Sequence, residues 1–306
     1  MLPLAPPAVR RWVRAGLLPC LLLVAAPLRA GGPLGAPAER RTYRDVEYVA
    51  GGGKLRSFDL EVPAGATGPF PLVVWIHGGS WRGGDKGKNP AAFLGAYGLA
   101  TASINYRLLP AAPFPAQLQD CKAAIRFLRA HAAEFRLDPT RIGVWGESAG
   151  GNLAALLGTT AGVAELEDGD RGGLSRVQAV CDWFGPTDLP ALLAQARTVP
   201  PTSPLAKETA TILALLGTLP PAELQRQASP LAFVSPDDAP FLIVHGDRDP
   251  LVPLEQSTEL HRALRAAGVP ATLVVVPGAG HGGAPFLAPD LQDRIRRFFT
   301  TQLRAE

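Results

Sequence analysis

The sequence predicts an α/β fold, with a mostly parallel central sheet and helices on both of its faces. Three observations carry that expectation. Short, continuous apolar runs recur along the chain, as strands buried on both faces require. Stretches with a helical apolar stripe separate them, which is the rhythm of crossover connections. The 33 glycines and 31 prolines then supply turns and shaped loops in a chain that is 47% hydrophobic and 19% charged, the balance of a packed globule.

Residues 1–30 stand apart from this pattern. Arg10, Arg11 and Arg14 precede an apolar run from Ala15 to Leu28, and Leu28-Arg29-Ala30 offers a small-residue cleavage site. That arrangement reads as a signal peptide, so the mature chain is expected to be exported, to a periplasmic or extracellular location. The run is short for a membrane span, and no stable membrane insertion is expected. Residues 31–41, rich in Gly, Pro and Ala, read as a flexible leader, which leaves 42–306 as a single domain.

Thr42 to Val49 and Lys54 to Val62 form two early strands around the Gly51-Gly52-Gly53 turn. Pro71 to Ile76 is a buried strand that feeds into His77-Gly78-Gly79-Ser80-Trp81. Leu99 to Asn105 is another, and an amphipathic helix runs from Phe114 to Ala130. Arg141 to Trp145 leads into Gly146-Glu147-Ser148-Ala149-Gly150, and Asn152 to Leu157 continues as helix. Val177 to Trp183 and Phe241 to His245 are the next strands. Glu255 to Ala267 is a helix with Leu260 and Leu264 inward, stopped by Gly268 in the left-handed position that ends helices. After the strand Thr272 to Val276, a closing helix from Asp290 to Leu303 turns Leu291, Ile295, Phe298 and Phe299 to the sheet.

The stretch at about 185–240 breaks that rhythm. It holds short helical candidates at Leu189–Arg197, Leu205–Leu216 and Pro221–Ala228 between proline-rich joints. An insertion there lies over the C-terminal edge of the sheet, where ligands bind in open α/β folds, and is read as a small partial cap.

Several function classes drop out. The net charge of +3 is slight and no basic tract is present, so no nucleic-acid partner is expected. The histidines, cysteines and acids show no metal-ligand spacing, and neither a metal nor a cofactor is called for. Nothing in the sequence points to an oligomeric state. Cys121 and Cys181 could pair as a disulfide in an exported chain. Cys121 also lies on the stripe Leu118, Cys121, Ile125, Leu128, which reads as a buried thiol instead.

The chemistry centres on Ser148. A strand ends just before it and a small-residue helix begins just after it, so the hydroxyl projects from the apex of a sharp turn. Gly146 and Gly150 remove the side chains that would block such a turn. A serine of this kind needs a base, an orienting carboxylate and amides for the oxyanion. Among five histidines, His131 and His261 lie on helices beside charged residues, and His77 and His245 end strands before tight turns. His281 follows the last strand in a glycine-rich loop that can lower the imidazole onto Ser148. Asp247 and Asp249 both follow the penultimate strand. Asp247 is placed to organise the turn, and Asp249, ahead of Leu251-Val252, is the favoured acid. The amides of Gly78, Gly79 and Ala149 are the expected oxyanion donors.

Neighbouring residues carry two readings each. Trp81, Trp183 and Phe184 line a substrate pocket or pack in the core. Tyr106 orients the oxyanion loop or is simply a buried aromatic. Glu147 tethers nearby loops or stays partly solvated. Leu213, Leu215, Leu216 and Leu219 would line a deep channel if long acyl chains were bound.

Residues 42–302 resemble an α/β-hydrolase of the secreted bacterial esterase group related to hormone-sensitive lipase and acetylxylan or feruloyl esterases. The resemblance rests on His77-Gly78-Gly79-Ser80-Trp81, Asn105-Tyr106-Arg107-Leu108 and Gly146-Glu147-Ser148-Ala149-Gly150-Gly151. It extends to Asp182-Trp183-Phe184-Gly185-Pro186-Thr187-Asp188, to His245-Gly246-Asp247-Arg248-Asp249 with Val252-Pro253 and Gln256-Ser257, and to His281. It implies a serine carboxylesterase in which the second aspartate, Asp249, is the acid. The chain lacks room for the longer N-terminal cap of many relatives of hormone-sensitive lipase. Short-acyl or aromatic esters, free or linked to polysaccharide, are therefore the expected substrates. The competing expectations are an amide or peptide hydrolase on the same triad and a non-catalytic binding protein of this fold.

Overall fold

In the computed structural model the described residues are 39–65, 67–167, 175–217 and 222–304. The expected signal peptide, and the leader up to residue 38, lie outside them. The chain forms β1 (Arg40–Glu47), β2 (Ser57–Pro63), β3 (Phe70–Ile76) and β4 (Ala100–Ile104). Then come α1 (Ala116–Ala130), α2 (Ala132–Phe135), β5 (Leu137–Glu147), α3 (Ala149–Thr159) and β6 (Ala179–Trp183). Next are α4 (Leu189–Ala196), α5 (Pro204–Leu216), α6 (Ala222–Gln227) and β7 (Phe241–Gly246). The chain closes with α7 (Glu255–Ala266), β8 (Ala271–Val276) and α8 (Pro289–Gln302).

The strands make one sheet in the order β1-β2-β4-β3-β5-β6-β7-β8. β2 runs antiparallel to both β1 and β4, and every pair from β4 through β8 is parallel. β3, β5 and β6 are central, so the loops at their C-terminal ends meet in one place. This is the α/β-hydrolase fold.

Side-chain alternation along the strands splits the core in two. Leu72, Val74, Ile76, Ile142 and Val144 face α1 and α3, together with Leu118, Ile125 and Leu128. Val73, Trp75, Trp145, Cys181 and Trp183 face α8, through Leu291, Ile295 and Phe299. Each large apolar side chain so buried contributes about 1.5–3 kcal/mol.

The same alternation corrects the disulfide expectation. Cys121 on α1 belongs to one layer and Cys181 on β6 to the other. Both are buried free thiols, and burial raises the pKa of each. Two boundaries and one facing also change. β1 starts at Arg40, inside the expected leader, where Arg40 pairs with Glu61 of β2 at 2.7 Å. β2 starts only at Ser57, because Gly53–Arg56 closes into a 3-10 turn. On α8, Leu291, Ile295 and Phe299 recur every fourth residue and are buried, whereas Phe298 sits half-buried on the flank. Among the described residues no helix is long and apolar enough to cross a membrane.

Candidate active site

β5 ends at Glu147 and α3 begins at Ala149, so Ser148 alone makes the turn between them. Its backbone sits at φ 54°, ψ −120°, a conformation that a residue with a Cβ adopts only when its surroundings hold it there. Those surroundings are specific. The Ser148 amide donates to the Trp183 carbonyl at 2.8 Å, and its carbonyl accepts from the Asn152 amide at 3.0 Å. The Asn152 side chain in turn donates to the Pro186 and Ala228 carbonyls at 2.8 and 3.1 Å. A Cβ on Gly146 would collide with the Gly150 carbonyl, and one on Gly150 with the Ile76 carbonyl. The two glycines let strand, helix and neighbouring strand meet backbone to backbone.

The segment after β3 is also wound tightly. Gly79, Ser80 and Trp81 all have positive φ, at 109°, 53° and 55°. The Arg82 and Gly83 amides both donate to the Gly79 carbonyl at 3.0 Å. Tyr106 holds this segment from beneath: its hydroxyl donates to the His77 carbonyl at 2.8 Å, and its ring stacks on the His77 ring at 4.4 Å. Burial raises the Glu147 carboxyl pKa, and a hydrogen bond from the Gly78 amide opposes the rise. Gly78 thus lies beside Glu147 and does not line the cavity that holds Ser148. Ser80 and Ala149 instead line the same cavity as Ser148. Ala149 is the first residue of α3, where a helix has unpaired amides and the positive end of its dipole.

The loops after β7 and β8 complete the geometry. His281 Nε2 lies 2.8 Å from Ser148 Oγ, and its Nδ1 lies 2.6 Å from Asp249 Oδ2. The other Asp249 oxygen accepts from the amides of Leu251 and Val252 at 2.8 and 2.9 Å. Burial alone would raise the Asp249 carboxyl pKa, but hydrogen bonds from His245 and His281 hold it well below the usual carboxylate range. The carboxylate therefore stays ionised against the imidazole. Asp247 points elsewhere, accepting from the Gly278 amide at 2.6 Å and so tying the two loops together from an exposed position.

The five residues expected in the pocket separate. Trp81 lines the cavity beside Ser148, together with Leu192 of α4, Ile212 and Glu208 of α5, and Leu251 and Val252. The cavity is small, about 280 Å³ with its mouth included. Trp183 does not reach it. It shares a sheet face with Cys181, and its ring packs on Trp145 at 4.8 Å and Phe286 at 5.4 Å. Phe184 supports the site indirectly, with its ring 4.6 Å from that of His281. Tyr106 is fully buried, and Glu147 is half-buried against Gly78. Neither lines the cavity. Of the leucines considered for a channel, Leu215 and Leu216 are buried in the core, Leu213 is half-buried against it, and Leu219 lies outside the described residues.

Sequence reasoning missed Ser80, Leu192, Glu208 and Ile212. Ser80 could have been found from its place directly after Gly79. The helix residues carried no such signal, because which turn of α4 or α5 reaches Ser148 depends on proline-joint geometry.

Comparison with known proteins sets this geometry in a family. The chain is 32% identical over 271 residues to Esterase LipC of Mycobacterium tuberculosis (strain ATCC 25618 / H37Rv), across 84% of this chain and 64% of that protein. It thus spans less than two thirds of that curated relative. The structure of a truncated form of a carbohydrate esterase from gut microbiota superposes with a TM-score of 0.76 at 33% identity, covering 87% of this chain and 97% of that one. An acetyl ester-xyloside bifunctional hydrolase from Caldicellulosiruptor lactoaceticus superposes with a TM-score of 0.67 at 26% identity, covering 80% and 88%. The family model described as BD-FAE matches residues 58–264, more than half of the sequence, and the chain belongs to that family.

Proposed function

We propose that the chain is an exported serine carboxylesterase that cleaves short-acyl or compact aromatic esters through an acyl-enzyme. The observation that carries this reading is the unbroken chain of hydrogen bonds from Asp249 through His281 to Ser148. His281 takes the Ser148 proton as the hydroxyl attacks the ester carbonyl, and Asp249 keeps the other ring nitrogen protonated. The amides of Gly79 and Ala149, with that of Ser80 beside them, receive the oxyanion. Each such donor is worth about 3 kcal/mol in the transition state. His281 then protonates the leaving alcohol and later activates the water that frees the acyl group.

The acyl-length preference follows from the cavity. Trp81, Leu192 and Ile212 close it around Ser148, and α4 to α6 act as the partial cap. A methylene gains about 0.8 kcal/mol only if it leaves water, which a closed wall prevents after the first few carbons. The similarity to a carbohydrate esterase and to an acetyl ester-xyloside hydrolase supports an acetylated carbohydrate as the natural ester.

The test uses the mature protein with a fluorophosphonate probe and p-nitrophenyl acetate, butyrate and decanoate. Wild type is expected to be labelled and Ser148→Ala to be neither labelled nor active, with kcat/KM falling from butyrate to decanoate. Equal labelling of Ser148→Ala would overturn the nucleophile. Decanoate ahead of butyrate would overturn the acyl preference.

A further inference from the structure

His245 is the penultimate residue of β7, and the mechanism above does not use it. Its ring is fully buried yet every polar atom on it is engaged. Nδ1 lies 2.7 Å from the hydroxyl of Ser257 on α7. Nε2 lies 2.8 Å from the Val252 carbonyl and 3.3 Å from Oδ2 of Asp249. That oxygen is the one that accepts from His281.

The tautomer follows from these partners. A carbonyl oxygen can only accept, so Nε2 carries the proton that points at Val252 and, less directly, at Asp249. In the neutral ring Nδ1 is then bare, and Ser257 donates its hydroxyl proton to it. Ser257 is itself fully buried and is held in the first turn of α7. Next to it, Gln256 accepts from the Thr187 and Asp188 amides at 2.8 Å each, which fixes this turn against the loop after β6. From β6 the Asp182 carboxyl faces the same ring, and the edge of Phe184 approaches it at 6.4 Å.

We infer that His245 is a positioning residue for the Asp249 carboxylate, in a tautomer that the Val252 carbonyl fixes and the Ser257 hydroxyl supports. This rests on the reading of Ser148, His281 and Asp249 given above. The device has two parts. The bond to Val252 closes the loop 249–252 into a ring, which fixes where Asp249 stands. The longer approach to Oδ2 brings a second donor to the oxygen that holds His281, which limits how strongly the carboxylate pulls on the catalytic imidazole. Asp249 is then bounded by four donors: two loop amides on one oxygen and two imidazoles on the other.

Substitutions separate this role from simple core filling. In His245→Gln the side-chain amide can still donate at the Nε2 position, whereas in His245→Asn it reaches only toward Ser257. His245→Asn is expected to lower kcat for p-nitrophenyl acetate about 10–100-fold at nearly constant KM, as loss of transition-state alignment does. The acid limb of its kcat/KM profile is expected to move up by about half a pH unit, because a carboxylate with one donor fewer stabilises the His281 imidazolium more. His245→Gln should recover most of the kcat and return the limb. Ser257→Ala should reproduce a weaker form of both effects, and it carries the test alone if His245→Asn fails to fold.

A His245→Asn enzyme with wild-type kcat and limb, or equal losses in Asn and Gln variants, would overturn the inference. So would a wild-type profile in Ser257→Ala. Fluorophosphonate labelling of wild type, with none in Ser148→Ala, is run alongside, so that failure of the underlying catalytic reading shows separately.

Discussion

Asp182, the penultimate residue of β6, and Asp249, in the loop after β7, are aspartates with fully buried carboxylates. They ionise in opposite senses. Burial raises the Asp182 pKa to about 6, opposed by the hydrogen bond from the Gly185 amide. Its Oδ1 accepts from Gly185 at 3.0 Å, while Oδ2 has no partner among the described protein groups. Burial acts on Asp249 in the same direction, yet four donors reverse it. The number of donors, and not the depth of burial, decides which carboxylate remains charged. A buried carboxylate with one donor is a structural strut, and one with four is an anion held ready for an imidazole.

The largest way to break the comparison is to exchange one oxygen of Asp249 for nitrogen. In Asp249→Asn, an amide NH2 at the Oδ2 position would face the His281 Nδ1–H, which needs an acceptor. His281 would shift its proton to the nitrogen facing Ser148 and lose its function as a base. The kcat for p-nitrophenyl acetate is expected to fall on the order of 10³–10⁴-fold with KM little changed. A loss under tenfold would show that the carboxylate charge is not needed.

Asp182→Asn sharpens the comparison from the other side. The asparagine keeps an oxygen for the Gly185 amide and removes only the ionisation. The wild-type carboxyl has a folded pKa above its unfolded value, so its stabilising contribution is present below about pH 4 and is lost as pH rises through about 6. Asp249 has the opposite slope: its depressed pKa stabilises the fold above the unfolded value and the contribution vanishes as pH falls. Urea titrations at pH 4 and pH 8 should therefore show Asp182→Asn gaining on wild type by about 2 kcal/mol at the higher pH. A pH-independent difference would mean that Asp182 is charged throughout.

The smallest effect is expected from Asp247, which is exposed and holds one amide. Asp247→Ala should lower stability by about 1 kcal/mol, the net value of a hydrogen bond, and leave kcat unchanged. A kcat loss comparable to that of Asp249→Asn would place Asp247 in the chemistry.

How much of this was legible depends on whether a property is local. The strand–turn–helix at Ser148 is written in consecutive residues, with Gly146 and Gly150 at the positions where a Cβ collides. The loop order that brings Asp249 and His281 to Ser148 follows from the parallel sheet. For Trp183 the sequence left pocket and core both open, and strand parity with Cys181 decides for the core. The same parity, applied to Cys121 and Cys181 together with the helix layer, separates the two thiols. His245 looked like a strand-end residue before a turn. Its partners, Val252 and Ser257, lie 7 and 12 residues away across a loop whose closure no local pattern encodes. Cavity residues on α4 and α5 were hidden for a related reason, since three proline-rich joints set their reach.

The separation of indoles between the two layers has an optical consequence. Trp75, Trp145 and Trp183 form one cluster, with ring centroids 5.3, 4.8 and 6.2 Å apart. Chromophores this close couple, so their near-ultraviolet circular dichroism reports the registration of β3, β5 and β6 as a unit and disappears when that registration does. Trp81 lies in the other layer, beside Ser148. Its indole lines that cavity, so its emission is expected to respond to what occupies it. One protein thus carries two built-in optical probes, one for the folded scaffold and one for the cavity beside Ser148.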